Sequence, residues 1–93
     1  MALSRAHLII SGRVQGVFYR SFAEETALSL GLKGWVRNLP DGRVEAVFEG
    51  ERQDIEKAIS LCQKGPPVSK VSDISVKWEE FQAEFRGFSI RYF

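Results

Sequence analysis

Two glycines four residues apart open a stretch that ends in an arginine: Gly12-Arg13-Val14-Gln15-Gly16-Val17-Phe18-Tyr19-Arg20. Glycine takes positive φ at little steric cost, so such a loop can turn successive N–H groups toward one point. The pattern that follows is helical, and a helix N-terminus adds free N–H groups and the positive end of the dipole. Arg20 closes the loop with a planar fork that matches two oxygens of a phosphate. A cation in the first turn of a helix is poorly placed against the dipole, which points to an anion nearby. The chemistry this stretch suits is the holding of a phosphoryl group. Glycine-rich turns before helices are common, so a plain structural turn stays open as a second reading. No Gly-Lys-Ser/Thr ending follows, so neither a nucleotide nor magnesium is implied.

The other reactive residue types are sparse. His7 is the sole histidine and lies beside Leu8 in an apolar strand, where a structural or surface role is the better reading. Cys62 is the sole cysteine. It excludes an internal disulfide and a multi-cysteine metal site, and it suits a reducing compartment. Its place on an apolar helical stripe reads as a buried, unreactive thiol. No His/Cys cluster has metal-ligand spacing, so no metal and no cofactor are expected. Glu24-Glu25 and Glu79-Glu80 are adjacent pairs that do not face one another on their elements, and they read as solvated surface.

The elements that must position the loop follow from periodicity. Leu8-Ile9-Ile10, ending at Gly12, predicts a short buried first strand, and Gly12–Arg20 a loop. Ser21 followed by Glu24 matches a capping box, and Phe22, Thr26, Ala27 and Leu30 recur at helical spacing, with Gly31 as the stop. Trp35 to Leu39 reads as a second strand, turning at Leu39-Pro40-Asp41-Gly42 into a third, where Val44, Ala46 and Phe48 alternate with Glu45, Val47 and Glu49. That alternation predicts a half-buried strand. Ile55, Ala58, Ile59 and Cys62 mark a second helix, ended by Gly65-Pro66-Pro67. Ile74, Val76 and Trp78 mark a fourth strand; Phe88, Ile90 and Tyr92 mark a short fifth. The order βαββαβ plus a terminal strand predicts an α+β fold of the ferredoxin-like kind, an antiparallel sheet with two helices on one face.

A chain of 93 residues forms one domain, 1–93, since two would each be too small to hold a core. Its 44 % hydrophobic and 27 % charged residues exclude a disordered chain. A net charge of +1 supplies no field to draw nucleic acid or a membrane. The apolar run before Ile10 is too short for a signal peptide or a membrane span. A soluble, cytoplasmic monomer is expected.

Ile10-Ser11-Gly12-Arg13-Val14-Gln15-Gly16-Val17-Phe18-Tyr19-Arg20 resembles the first signature of the acylphosphatases. Gly34-Trp35-Val36-Arg37-Asn38, followed by Gly42, Val44 and Gly50, resembles their second. The likeness covers essentially the whole chain, and two separate motifs at the right spacing make it specific. Tyr19 departs from the pattern, which has Phe or Met there; it keeps an aromatic ring, so a change in packing rather than chemistry is expected. The resemblance implies hydrolysis of acyl phosphates to a carboxylate and orthophosphate, with phosphate also acting as an inhibitor. It implies that Arg20 and the backbone N–H groups of Gln15, Gly16, Val17, Phe18 and Tyr19 hold the phosphoryl group. It implies that Asn38 orients the attacking water and that a substrate phosphate oxygen takes the water's proton. A carboxylate leaving group, with a conjugate-acid pKa of about 4, needs little help from a general acid. Charge neutralisation and positioning are the tasks left to the protein.

Three other readings stand beside this one. Without the second signature, Asn38 reads as a strand-end residue bracing the turn. The same element order also builds RNA-recognition domains, but the third strand, Arg43-Val44-Glu45-Ala46-Val47-Phe48-Glu49, lacks their aromatic pattern and carries two acids. A carbamoyl-phosphate module of a larger protein is a further alternative. A chain beginning and ending at this fold favours the free enzyme.

Overall fold

The computed structural model describes residues 2–92. It comprises β1 (Leu3–Arg13), α1 (Tyr19–Ser29), β2 (Lys33–Asn38), β3 (Val44–Glu51), α2 (Arg52–Lys64), β4 (Lys70–Glu79) and β5 (Phe88–Arg91). The strands form one sheet in the order β4-β1-β3-β2-β5. The pairs β1–β3, β1–β4 and β2–β3 are antiparallel, as the sequence pattern predicts for the sheet. The fifth strand runs parallel to β2, so the sheet is mixed. The chain leaves β4 at one edge of the sheet and returns at the other, a path no local pattern records.

The core lies between the sheet and the two helices. Ala6, Leu8 and Ile10 of β1 and Val44, Ala46 and Phe48 of β3 are buried on one face, which is the period-2 alternation of a strand packed on one side. Against them lie Tyr19, Ala23, Thr26 and Ala27 of α1 and Ile55, Ala58 and Cys62 of α2. The first helix therefore begins earlier than Ser21, and Tyr19 rather than Phe22 starts its buried stripe; Phe22 is half-buried. The expected capping box is absent. Ser21 sits inside the helix, and Phe18 occupies the N-cap position with no side-chain cap.

The opposite face of the sheet is more covered than the alternation predicts. Glu49 is 1 % exposed. Its carboxylate accepts the N–H groups of Gln82 at 2.8 Å and Glu84 at 3.3 Å and lies 3.4 Å from Arg5. Arg5 also pairs with Glu79 and Glu84, so Glu79 is not a free surface acid. The segment between β4 and β5 thus folds back over the middle strand. Its residues show no periodicity from which that return could be read.

A β-bulge at Ser11/Gly12 shifts the register of β1 on β4, and the pairing continues through Gly12↔Val71 and Arg13↔Lys70. Gly12 has φ 121, and a Cβ there would collide with the carbonyl oxygen of Lys70. The bend turns the chain out of the sheet and into the loop before α1. Among the described residues no helix is long and apolar enough to cross a membrane.

Candidate active site

The loop between β1 and α1 alternates its side chains in and out. Val14, Val17 and Tyr19 are buried, while Gly16 and Phe18 face solvent. Gly16 at φ 72 and Phe18 at φ 64, ψ 22 both take the left-handed conformation. The first bond closing α1 runs from the Phe22 N–H to the Phe18 carbonyl at 3.0 Å, so the amides just before it have no acceptor within the helix. Among the described residues no hydrogen bond is donated by the backbone N–H groups from Gln15 to Arg20. No acid occupies the first turn. The result is an uncapped helix start, preceded by two left-handed residues and followed by a cation.

A pocket of about 240 Å³ opens at this point. Gly16, Phe18, Tyr19, Arg20 and Asn38 line it, which brings the two sequence motifs to one place. Val14, Ser21, Ile90 and Tyr92 complete the lining. Gln15 and Val17 do not line it. Val17 anchors the loop in the core, and the Gln15 side chain reaches across to the hairpin between β2 and β3, donating to the carbonyls of Leu39 at 2.8 Å and Arg43 at 2.9 Å.

Asn38 ends β2 opposite Val44. Its Oδ1 is buried and has no hydrogen-bond partner among the described residues. Buried acceptors are nearly always paired, so this oxygen stands out among the described residues as an acceptor open to the pocket. The guanidinium of Arg20 lies 5.0 Å from the centre of the Tyr92 ring. Tyr92 follows β5 and is 78 % exposed. In the sequence Tyr92 marks the fifth strand together with Phe88 and Ile90, but nothing local sets its ring beside Arg20.

Tyr19 faces away from the pocket mouth. Its hydroxyl donates to the Cys62 carbonyl oxygen at 2.6 Å, joining the two helices. Burial above all, with the adjacent Cys62, pushes the phenol pKa far up and keeps it protonated. Burial likewise pushes the Cys62 thiol up to about 11. His7 is outside the pocket, with Nε2 2.6 Å from Glu45 Oε2; Glu45 Oε1 accepts from Arg37 Nε at 2.6 Å. Burial raises the Glu45 pKa, but those two partners outweigh it and hold the carboxyl below its ordinary value. Among the described residues no group of three or more His, Cys, Asp or Glu is placed to hold a metal ion.

The profile of the family described as Acylphosphatase matches residues 6–90. The Acylphosphatase of Pelotomaculum thermopropionicum is 48 % identical over 92 residues, covering 99 % of this chain and 100 % of that one. The Acylphosphatase of a Roseiflexus species is 54 % identical over 90 residues, covering 97 % of each. The crystal structure of acylphosphatase from Bacillus subtilis superposes with a TM-score of 0.93 at 40 % identity, covering 98 % of this chain and 100 % of that one.

Proposed function

The chain belongs to the acylphosphatase family and hydrolyses the carboxyl–phosphate bond of acyl phosphates, and from that premise we propose how its residues divide the reaction. The N–H groups of Gln15, Gly16, Val17, Phe18 and Tyr19 hold the outer oxygens of the phosphoryl group, with the fork of Arg20 neutralising their charge. Asn38 Oδ1 accepts a hydrogen bond from the attacking water.

The observation that carries this reading is the buried, unpartnered Asn38 Oδ1 in the same pocket as Arg20. An unsatisfied buried acceptor costs about 1–3 kcal/mol, a cost that a water in the pocket removes. The water oxygen bonds to phosphorus as the bond from phosphorus to the acyl oxygen breaks, and the electron pair leaves with the carboxylate. The water proton passes to a non-bridging phosphoryl oxygen. An amide is too weak a base to take it, and no carboxylate or imidazole is among the described residues lining the pocket.

The reaction so written uses one chain and no metal, and the partners are the acyl phosphate and the phosphate released. A cytoplasmic setting suits the lone thiol of Cys62. Binding of nucleic acid is disfavoured by the acid Glu45 on the outward side of the middle strand and by the segment between β4 and β5, which covers that side at Glu49. Phosphate titration tests the reading. Phosphate inhibits competitively, and it shifts the backbone amide resonances of residues 15–20 with a dissociation constant equal to the inhibition constant. Noncompetitive inhibition, or shifts confined to other residues, would remove the phosphoryl group from this loop. Turnover persists in chelator; loss that added metal restores would end the metal-free mechanism.

A further inference from the structure

We propose that Phe18 contacts the acyl half of the substrate and gives aromatic and long-chain acyl phosphates an advantage over acetyl phosphate. The inference rests on the reading above, in which the phosphoryl half sits on the loop. Between Val17 and Tyr19, which are both buried, Phe18 alone turns outward, and it is 78 % exposed. Its backbone lies at φ 64, ψ 22, a region that asparagine and glycine occupy readily and bulky residues rarely do. A phenyl ring here is unfavourable twice over, in its backbone conformation and in the apolar surface it leaves in water.

Folding does not explain it. Among the described residues the ring joins no part of the core, makes no ring–ring contact and supplies no cap hydrogen bond. The pocket does explain it, because Phe18 lines the same space as Arg20 and Asn38, together with Ile90 and Tyr92. An acyl phosphate has a charged end and an end of variable polarity. With the charged end on the loop amides, the acyl group extends outside the cradle, where an exposed ring on the same loop can cover it. Burying a phenyl or alkyl group against that ring removes apolar surface from water, whereas an acetyl group offers too little surface to gain much.

The test compares kcat/KM for benzoyl phosphate and acetyl phosphate in the wild-type protein, in Phe18→Asn and in Phe18→Tyr. Asparagine tolerates the left-handed backbone and removes the ring; tyrosine keeps the ring. The benzoyl-to-acetyl ratio falls about tenfold in Phe18→Asn, the low end of discrimination by an apolar contact, and stays near the wild-type value in Phe18→Tyr. Taking the ratio cancels any general loss from disturbing the loop. An unmoved ratio in folded Phe18→Asn, with phosphate still a competitive inhibitor of the wild type, overturns the acyl contact alone. Failure of phosphate to compete in the wild type overturns the cradle, and this inference with it.

Discussion

Gln15 donates from Nε2 to the carbonyl oxygen of Leu39 at 2.8 Å, and Leu39 is the residue after Asn38. One side chain thus fastens the loop that carries the free amides to the strand end that carries the unpartnered oxygen. The second hydrogen of the same amide goes to Arg43 across the hairpin at 2.9 Å. Gln15→Ala removes both bonds and is expected to lower stability by about 1–2 kcal/mol, read from urea unfolding. Its backbone N–H survives, so phosphate affinity changes less than kcat, which depends on where Asn38 is held. Gln15→Glu sets acceptors against two carbonyls and destabilises more than alanine does; equal losses would mean the two bonds matter little.

The pair Glu45 and Arg37 lies one residue from Asn38 on the outward face of the sheet, with His7 on the other carboxylate oxygen. The folded-state pKa of Glu45 is below its ordinary value of 4.5. A depressed carboxylate pKa contributes stability that is present above the unfolded value and lost as pH falls through the folded one. Glu45→Gln is expected to lose about 1 kcal/mol at pH 7, after solvent screening of a half-buried cluster, and to show a shallower loss of stability below pH 4.5 than the wild type. Parallel acid limbs in the two proteins would exclude Glu45 as a source of acid sensitivity.

The strands of the core were legible because alternation is local: Ala6, Leu8 and Ile10, and Val44, Ala46 and Phe48, each repeat every second residue and meet one packed face. The start of α1 was not. Ser21 and Glu24 have the types of a capping box, but the chain enters the helix through a left-handed aromatic, Phe18, and buries Tyr19 at once. Nothing in the local sequence marks an uncapped start, because the left-handed turn at Phe18 and the burial of Tyr19 depend on packing against the rest of the fold. Glu49 and Tyr92 were missed for a different reason. Each meets residues distant in sequence, Glu49 through Arg5, Gln82 and Glu84 and Tyr92 through Arg20, so only the closed fold discloses their surroundings. The motifs named Gln15, yet its side-chain role depends on the hairpin being brought to the loop.

Tyr19 and Cys62 tie the two helices together, and both are held protonated by burial. Cys62 moves from 9.0 to about 11. A raised pKa in a group that is neutral when protonated gives stability that is complete below the unfolded value and lost as pH rises toward the folded one. Stability is therefore expected to fall between about pH 9 and 11, the interval that the Cys62 shift spans. Cys62→Ala is expected to flatten that decline in part, with Tyr19 supplying the rest, and to keep activity at neutral pH. Below that interval the thiol reacts slowly with a disulfide reagent unless the protein is unfolded. Fast reaction of the native protein at pH 8 would show that the thiol is not sealed in the core.

Arg20 and Asn38 line one pocket, and in the proposed division of the reaction they meet different halves of it, which kinetics can separate. The charge that Arg20 faces is present in the substrate, in the transition state and in the product. Arg20→Ala is therefore expected to weaken phosphate inhibition and to slow turnover together. Arg20→Lys keeps a charge without the planar fork and restores little of either. In that proposal Asn38 Oδ1 meets only the water. Asn38→Ala is expected to lower kcat by about 10²-fold or more, the scale on which one positioned hydrogen-bonding group acts, while the phosphate inhibition constant stays within a few-fold. Removing a buried acceptor that has no partner among the described residues is expected to leave the fold's stability unchanged, so unfolding measurements on Asn38→Ala give a second, independent readout. A stable Asn38→Ala with near-normal kcat would leave the unpaired oxygen without a catalytic purpose. A loss of stability with turnover falling in proportion would return Asn38 to the turn at Pro40-Asp41-Gly42 as a brace.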